Sequence, residues 1–442
     1  MSSASGAGSG EGQLTTRARL PVEHRLAIGA KLLASAVFVS HRDCDEAWDA
    51  SVLPRIGRRL ADRTAVEIDE DGRRAVLGAD GAHRSARHVG DLGVVIEPDN
   101  APIADGVVGF EIGADPAPGF ALDESPAAQV LEALEPAFAP EVCTAAMIVV
   151  HEGRVVAERY AAGTDADTQL ESWSMGKSIA ATLVGRAAAD GLLDLDEPPP
   201  IPAWRRPGDE RAEITLRHLL QMSSGLKFSS ADDWDPAASP VPDHVRIYME
   251  SIDTADFAAG RPLEHRPGTA GRYHNCDPLS LLAVLRGRLP DDATWWRFAQ
   301  RELFDPIGTP RQVIDVDRAG GFVITGFDSG TARGWARLGL LWLNDGLVGN
   351  RRLLPEGYVA AATTPAPAWP APVYGYLCWL NRVAEWALPD DAYFFAGDAT
   401  QRTFVVPSLD LVVVRLGHSA GAAVAGPALN KSLAAIAATL TQ

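Results

Sequence analysis

Paired cysteines, metal-binding histidine patterns and long hydrophobic runs are all missing from this 442-residue chain. Its cysteines are far apart and form no CxxC pair, which argues against a disulfide framework or a zinc–thiolate site. The ten histidines show no HxxxH or HExxH spacing, so we predict no metal and no other cofactor. The four cysteines, expected to be mostly buried free thiols, are Cys44, Cys143, Cys276 and Cys378.

Positive charge is also scarce. Asp and Glu number 58 against 40 Lys and Arg, which leaves a net charge of −18. That balance argues against a nucleic-acid partner and against an anionic membrane surface. No apolar run reaches the length of a membrane-spanning helix, so we expect no membrane partner. A small molecule is the expected partner, and association as a homodimer is left open.

The segment from Leu26 to Ser40 is the one stretch that could act as a targeting signal. Arginines precede it and residues 34–36 imitate a cleavage site, so residues 17–36 could direct export. Lys31 interrupts the apolar centre, however, and the run ends in the strand-like residues 37–39. We therefore expect the segment to stay in the mature chain and the protein to be cytoplasmic, with export as the alternative.

Composition divides the chain into three parts. Residues 1–15 form a tail rich in Gly and Ser, which predicts disorder because it has nothing to bury. Residues 16–125 predict an accessory extension, with an apolar helical segment and a hairpin whose turn lies at 69–72. Residues 126–442 carry the remaining patterns and are expected to form the main domain.

The main domain has strand patterns near both of its ends, and helical patterns dominate between about 175 and 380. The strand patterns lie at 145–150, 155–160, 393–396, 403–406 and 411–416. We predict an α/β fold, more strictly α+β. In it the N- and C-terminal segments form one antiparallel sheet flanked by helices, with the mostly helical region inserted.

A serine and a lysine three residues apart are the first sign of chemistry. Ser174 and Lys177 would share one face of a helix and lie within hydrogen-bond distance. A serine hydroxyl needs a neighbouring base to become a nucleophile, and a desolvated lysine can act as that base. Ser174 precedes an alanine-rich run, which predicts a helix start, where backbone N–H groups favour negative charge.

The same S-x-x-K pattern occurs a second time, at Ser224 and Lys227. That copy contains Gly225 and follows a helical run, which predicts a helix end instead of a beginning. A rival interpretation treats Ser174 as the nucleophile of a G-x-S-x-G elbow with His418 as the triad histidine. Polar residues precede Ser174 and the first glycine is missing, which weighs against the elbow.

Tyr273 and Asn275 follow a loop rich in Gly and Pro and precede a helical stretch. A tyrosine beside a lysine ammonium can have a lowered pKa and move protons between the serine and a leaving group. Taken alone, Tyr273 would be read as a partly buried residue with its hydroxyl on a backbone carbonyl. The serine–lysine pair makes the catalytic interpretation the stronger one.

With these residues the chain resembles the serine β-lactamase and penicillin-binding-protein superfamily over about 126–442. It is most similar to the class C β-lactamase-like branch, which includes esterases and the 6-aminohexanoate-dimer (nylon-oligomer) hydrolases. Further similar segments are His218–Leu226, a leucine-rich helix followed by S-G-L, and Thr331–Leu343, followed by Asn-Asp-Gly. Residues 31–43 resemble the N-terminal extension of some nylon-hydrolase-like members.

The resemblance implies a role for each of these residues. Ser174 would be the acylated nucleophile, Lys177 its proton partner and Tyr273 the base for acylation and the proton donor to the leaving group. Asn275 would orient the substrate or Lys177. The third motif would be 396–398, where Gly397 precedes Asp398 and the Asp398 N–H joins the Ser174 N–H in an oxyanion hole.

Two departures from the family pattern limit the assignment. The K-T-G or H-T-G triplet is replaced by Phe395-Ala396-Gly397, so a cation for a β-lactam carboxylate is missing. Thr400 stands where the esterase-like G-x-x-G-Q motif has its second glycine. The first departure disfavours a β-lactamase or peptidase, and the second leaves the shape of the pocket wall open.

The resemblance therefore implies a serine hydrolase that cleaves small esters or linear amides. The alternatives are a D,D-peptidase, penicillin-binding or β-lactamase activity, and an idle penicillin-recognition-like binding domain. Trp173, Trp234 and Tyr248 are candidate residues for the mouth of the cleft, with core packing as the alternative. Trp234 stands where nylon-oligomer hydrolases carry a tyrosine near the scissile amide, so our hypothesis is that esters are cleaved better than amides.

Overall fold

A computed structural model describes residues 20–99, 101–230, 233–418 and 422–441. The tail at 1–15 lies outside these residues. The helices, labelled α1 to α15 in chain order, are Val22–Phe38, Cys44–Ala47, Leu53–Ile56, Arg58–Ala61, Ala128–Glu132, Gly176–Ala189, Leu216–Leu220, Asp243–Met249, Thr254–Ala259, Cys276–Arg286, Asp292–Ala299, Asp305–Ile307, Ala332–Leu343, Tyr358–Ala362 and Ala422–Leu440. The strands, β1 to β15, are Ala65–Asp69, Arg74–Ala79, Ala82–His88, Val94–Ile96, Thr144–His151, Arg154–Tyr160, Leu170–Glu171, Val313–Ile314, Asp328–Gly330, Leu347–Val348, Arg351–Arg352, Trp379–Leu380, Tyr393–Gly397, Gln401–Val406 and Leu411–Gly417.

The central sheet has six strands in the order β12-β13-β14-β15-β5-β6, and every neighbouring pair is antiparallel. The C-terminal strand β15 pairs with β5, for example Val413 with Val149, so the two ends of the main domain meet in one sheet. The strands are rich in β-branched residues and largely buried, and α13 packs on β14, β15 and β5. The predicted fold class is confirmed.

The N-terminal extension has a sheet of its own, the antiparallel meander β1-β2-β3-β4. Glu67 pairs with Val76 across the first turn, which confirms the predicted hairpin. Helix α1 packs on β2 and β3, and a Cβ on Gly29 would lie 2.6 Å from Leu77 Cδ2. The extension also shares a hydrophobic core with main-domain residues, including Val245 and Phe327.

The strand-like interpretation of residues 37–39 was wrong. Helix α1 continues to Phe38, and Val39 keeps helical dihedral angles (φ −102°, ψ −49°). Phe38 and Val39 are buried in the extension's core. Burial of that helical face therefore outweighs the β preference of Val and Phe.

The region between about 175 and 380 is mainly helical, as expected, but short strands occur within it. The sheet β7-β9-β8 pairs Glu171 with Ser329 and Val313 with Ser329. Ser172 extends this contact by donating its backbone N–H to the carbonyl of Asp328. The chain just before Ser174 is thereby held against the segment 325–328, which positions the site.

The C-terminal helix α15, Ala422–Leu440, is rich in alanine. By length and composition Ala423–Leu440 could span a membrane, which the sequence pattern did not lead us to expect. In the structure Leu429, Leu433 and Ile436 are buried, and Ser432 Oγ accepts the N–H of Ala137. One face of α15 is therefore used for packing within the chain.

The cysteine expectation holds only in part. Cys276 and Cys378 are buried, Cys44 is half-buried and Cys143 is exposed. All four are free thiols.

Candidate active site

Ser174 lies at the start of α6, where a 3-10 turn at Trp173–Met175 continues into the helix. The Nζ of Lys177 lies 2.8 Å from Ser174 Oγ and donates to it, so the predicted meeting of these side chains is confirmed. The carbonyl of Thr325 accepts from both groups, at 2.6 Å from Lys177 Nζ and 3.2 Å from Ser174 Oγ. This carbonyl fixes the pair in one orientation.

Lys177 is only 1% exposed. Burial lowers the pKa of Lys177 well below its usual value, and the charge of Asp328 opposes that shift. Burial likewise raises the pKa of Asp328 well above its usual range. Both directions favour the neutral forms, because an isolated charge is costly in an apolar interior. A neutral amine has a lone pair with which it can accept a proton.

Tyr273 lies in the loop before α10, as predicted, with its ring centroid 4.9 Å from Lys177 Nζ. Burial raises the pKa of its phenol, while a hydrogen bond with Ser174 and the charge of Arg402 act in the opposite direction. The ring packs against Trp379, with 5.4 Å between centroids. Tyr273 is thus a protonated phenol in contact with Ser174, not a phenolate.

Asn275 is the N-cap residue of α10 and is 9% exposed. Its Oδ1 is buried and has no hydrogen-bond partner among the described residues. The preceding His274 points elsewhere, since its Nδ1 accepts the N–H of Cys276 and its ring stacks on Phe228. Burial lowers the pKa of His274 to about 3, so this histidine is neutral. The role of Asn275 stays a prediction.

Strand β13 ends directly beside the nucleophile segment. A Cβ on Gly397 would lie 2.2 Å from the carbonyl oxygen of Ser172 and 3.2 Å from Trp173 Cβ. Only glycine allows this approach. Asp398 follows and opens a 3-10 turn, Asp398–Thr400. The two chain segments of the predicted oxyanion hole are therefore neighbours.

The backbone around the site adopts left-handed conformations at residues other than glycine. Trp173 has φ +53°, and Ala399 and Thr400 have φ +55° and +62°. Such values are unfavourable for bulky or β-branched residues and concentrate at functional sites. Glycine would adopt the conformation of Thr400 without the steric penalty.

The three aromatic candidates have different environments. Trp173 packs against Phe327, with 5.8 Å between ring centroids. The Tyr248 hydroxyl lies 2.7 Å from Thr325 Oγ1, so Tyr248 supports the residue that holds Lys177. Trp234 is half-buried, and its Nε1 donates to the carbonyl of Ser239 in the same loop.

The loop of Trp234 is tied to the Tyr273 segment by an ion pair. Asp233 pairs with Arg272, the residue directly before Tyr273. Asp232, which also belongs to the predicted loop, lies outside the described residues. A direct role of Trp234 at the cleft stays a prediction.

The second S-x-x-K copy has a different structure. Ser224 is fully buried, and its hydroxyl donates to Asp277 Oδ1, while Lys227 is exposed. Gly225 has φ +80° and breaks the helical geometry between them. The prediction that this copy follows a helix end is confirmed, since α7 ends at Leu220.

The elbow interpretation finds no support in the contacts of His418. Its Nδ1 lies 3.4 Å from Ser51 Oγ, and its backbone N–H donates to Cys143. Burial lowers the pKa of His418 well below its usual value. This histidine therefore faces the N-terminal extension.

Sequence reasoning missed Thr325, Gly176 and Asp328. A Cβ on Gly176 would lie 2.1 Å from the carbonyl oxygen of Ile324, so glycine lets α6 approach the segment that carries Thr325. Asp328 follows the apolar run 322–327, and an acid in such a setting was the available signal. Thr325 gave no signal, because it acts through its backbone carbonyl.

Within the ranges that the structure describes, no group of three or more His, Cys, Asp or Glu side chains is placed to hold a metal ion. A separate surface cavity of about 730 Å³ is lined by residues that include Leu192–Glu197, Arg217 and Glu356. It contains none of the catalytic candidates.

Known proteins resemble both the sequence and the fold. The 6-aminohexanoate-dimer hydrolase of Paenarthrobacter ureafaciens is 26% identical over 228 residues, which span 50% of this chain and 57% of that protein. A Bacillus anthracis structure, provisionally assigned as a 6-aminohexanoate-dimer hydrolase, has a TM-score of 0.58 at 18% identity, covering 72% of this chain and 86% of that one. A family VIII carboxylesterase structure has a TM-score of 0.52 at 16% identity, covering 70% and 98%.

These similarities have different weight. The two structural likenesses show the fold alone, and the sequence match covers only about half of this chain. The family model described as Beta-lactamase matches residues 135–438, well over half of the chain. Because that range contains the serine, the lysine and the strand beside them, the chain belongs to the Beta-lactamase family of serine hydrolases.

Proposed function

We propose that this enzyme cleaves small esters or linear amides through an acyl-enzyme on Ser174. Lys177 and Tyr273 would move the protons. The observation that carries the proposal is the 2.8 Å contact between Ser174 Oγ and a lysine that is 1% exposed. A buried lysine with a lowered pKa supplies the base that a serine nucleophile requires.

Lys177 is the better first proton acceptor. Its lowered pKa leaves a lone pair for the Ser174 proton, whereas the raised pKa of Tyr273 keeps the phenol protonated. Ser174 Oγ would attack the carbonyl carbon as its proton passes to Lys177. The phenol of Tyr273 would then protonate the leaving oxygen or nitrogen, and Lys177 would pass the proton it took from Ser174 to the resulting phenolate, which restores both groups.

The tetrahedral intermediate carries negative charge on the former carbonyl oxygen. We assign its stabilisation to the N–H groups of Ser174 and Asp398, in line with the close approach at Gly397. Water would then attack the acyl group and give a proton to the free amine of Lys177, and Ser174 Oγ would leave with a proton from Lys177 or from the Tyr273 phenol. Because Lys177 and Tyr273 interact, the order in which they exchange protons in this second step belongs to the pair and not to either residue alone.

Esters are the proposed preferred substrates. Trp234 provides an aromatic wall but, unlike a tyrosine, has no hydroxyl for an amide leaving group. Its N–H donates to the carbonyl of Ser239. At the position of the Lys or His of the K-T-G or H-T-G triplet, β13 carries Phe395, which offers no charge for a β-lactam carboxylate. The first feature favours esters over amides, and the second favours small uncharged substrates over β-lactams.

The first experiment is the hydrolysis of p-nitrophenyl acetate by the wild type and by Ser174→Ala. We expect turnover to fall by about 10³-fold or more, because the nucleophile is removed. Ser224→Ala is the matched control and should keep its kcat, since Ser224 bonds to Asp277. Intact-protein mass spectrometry should detect an acyl adduct that is lost in Ser174→Ala. Equal rates in wild type and Ser174→Ala would contradict the proposal.

A matched ester and amide with the same acyl group test the substrate preference. Faster cleavage of the amide would contradict the preference for esters. Penicillin acylation without ester turnover would support the D,D-peptidase or penicillin-binding alternative. Ligand binding without turnover would support the idle binding domain.

A further inference from the structure

The N-terminal extension reaches the nucleophile through one arginine. Arg55, in the short helix α3, forms an ion pair with the carboxylate of Asp398. Its Cζ also lies 4.2 Å from the centroid of the Trp173 ring. Only 10% of the Arg55 side chain is exposed. One guanidinium therefore contacts both segments that border Ser174.

These two segments are the ones whose N–H groups we assign to the oxyanion hole. Trp173 directly precedes Ser174 and has φ +53°, a conformation that surrounding contacts must hold in place. Phe327 packs on its ring from the main domain, and Arg55 packs on it from the extension. Without Arg55 one of these two supports is lost.

The charge of Asp398 gives Arg55 a second task. The Oδ1 of Asp398 accepts the N–H of Ala399 at 2.7 Å, and this hydrogen bond holds the carboxylate on the turn beside the nucleophile. The transition state gains negative charge close to this turn, and the negative charge of the Asp398 carboxylate opposes it. The Arg55 guanidinium pairs with the second oxygen, Oδ2, and offsets that charge.

Two further contacts anchor the extension to the same wall of the site. Lys31 of α1 forms a buried ion pair with Asp315, whose side chain also accepts the N–H of Val94 at 3.0 Å. The Nζ of Lys31 lies 4.7 Å from the ring centroid of Phe327. These contacts hold the extension against the main-domain segment that also carries Thr325. They thereby fix the position of Arg55 relative to the site.

We propose that Arg55 is a positioning residue of the active site, which orders Trp173 and the Asp398 turn and offsets the Asp398 charge. Residues 20–97 are then part of the catalytic unit, not only a cover. This inference rests on the proposed function, because it concerns the oxyanion hole of the Ser174 reaction. Arg55 acts through the two residues it contacts and need not touch substrate.

The test compares Arg55→Ala, the double variant Arg55→Ala/Asp398→Asn, and Arg58→Ala in p-nitrophenyl acetate hydrolysis. We expect kcat of Arg55→Ala to fall by about 10- to 100-fold, since misplacement near the reacting atoms has effects of that size. KM should change little, because uniform substrate binding is untouched. The double variant should recover part of kcat, because Asn removes the negative charge of the turn but does not restore the packing of Arg55 on Trp173. Arg58 is exposed on the next short helix, and Arg58→Ala should match the wild type.

The outcomes separate this inference from the function on which it rests. A wild type without Ser174-dependent turnover would overturn both. An active wild type with an unchanged Arg55→Ala variant would overturn the inference alone. Equal losses in the single and the double variant would overturn the part of the inference that concerns the Asp398 charge. Thermal unfolding of each variant identifies any loss of kcat that comes from unfolding.

Discussion

The same four-residue pattern, Ser-x-x-Lys, occurs twice in this chain and forms two unlike structures. In the first copy a helical turn brings Lys177 Nζ to 2.8 Å from Ser174 Oγ. In the second, Ser224 bonds to Asp277 and Lys227 is exposed. The spacing is therefore insufficient by itself. The helical backbone and the burial of the lysine make the first copy chemically useful.

Removal of the two lysines should produce the largest contrast. We expect Lys177→Ala to lower kcat for a p-nitrophenyl ester by about 10²- to 10⁴-fold, the usual contribution of a positioned base. Lys227→Ala, the matched control, should stay within about twofold, because surface substitutions change little. Steady-state kinetics on both variants provide the measurement. Comparable losses would remove the distinction between the copies.

The pH dependence sharpens the same contrast. The reactive form of Lys177 is the free amine, so kcat/KM should rise with pH and level off above the pKa of Lys177 in the folded protein. Burial lowers that pKa, so the rise should occur well below the range in which exposed lysines titrate. The rise should persist in Lys227→Ala. A profile that rises only where exposed lysines lose their protons would contradict the role of a buried amine.

Asp277 accepts the hydrogen bond of Ser224, the second serine, and we expect it to make the stability depend on pH. This effect should be of intermediate size. Burial raises its pKa to about 7, so the folded state binds its proton more tightly than the unfolded state. That contribution to stability is complete below about pH 4 and is lost as the pH rises through about 7. Between pH 5 and pH 8 the wild type should therefore lose roughly 2–3 kcal/mol more unfolding free energy than the Asp277→Asn variant does.

Urea unfolding at the two pH values measures this effect. Asp71→Asn is a suitable control, since Asp71 is exposed, and it should leave the pH slope unchanged. An Asp277→Asn slope equal to that of the wild type would show that Asp277 is ionised in the folded protein.

The smallest effect concerns the turn beside the first copy. Thr400 has φ +62°, and glycine adopts this conformation without the steric penalty. We expect Thr400→Gly to raise the unfolding free energy by up to about 1 kcal/mol, as strain relief outweighs the added flexibility of the unfolded chain. Thr403, in β14, is the control, and Thr403→Gly should destabilise the protein. A loss of stability in both variants would contradict strain at Thr400.

Much of the fold could be predicted because its signals are local. Local residue patterns marked the hairpin of the extension and the strands at 145–150 and 155–160. The pairing of β5 with β15 matches the sheet predicted from the two ends of the main domain. Errors arose where packing competed with propensity. Helix α1 extends to Phe38, and Val39 keeps helical dihedral angles, because burial of this segment in the extension's core outweighs its β preference. Short strands such as β8 were missed, since two residues carry no period.

The candidate site divides in the same way. Ser174 and Lys177 were found because a spacing of three residues is enough to put them on one helical face. Asp328 gave only a weak signal and Thr325 none, since a backbone carbonyl leaves no trace in a sequence. The roles of Tyr273, Asn275, Gly397 and Asp398 came from the family resemblance and stay predictions.

The sequence by itself determined the hairpins, the serine–lysine spacing and the membership of the family, because each depends on residues close together in the chain or on a motif order. Tertiary structure alone decided that Lys177 is buried, that the Thr325 carbonyl holds it and that Arg55 meets Asp398. Arg55 and Asp398 are 343 positions apart. No local pattern links them, because only the packing of the extension on the main domain brings them into contact.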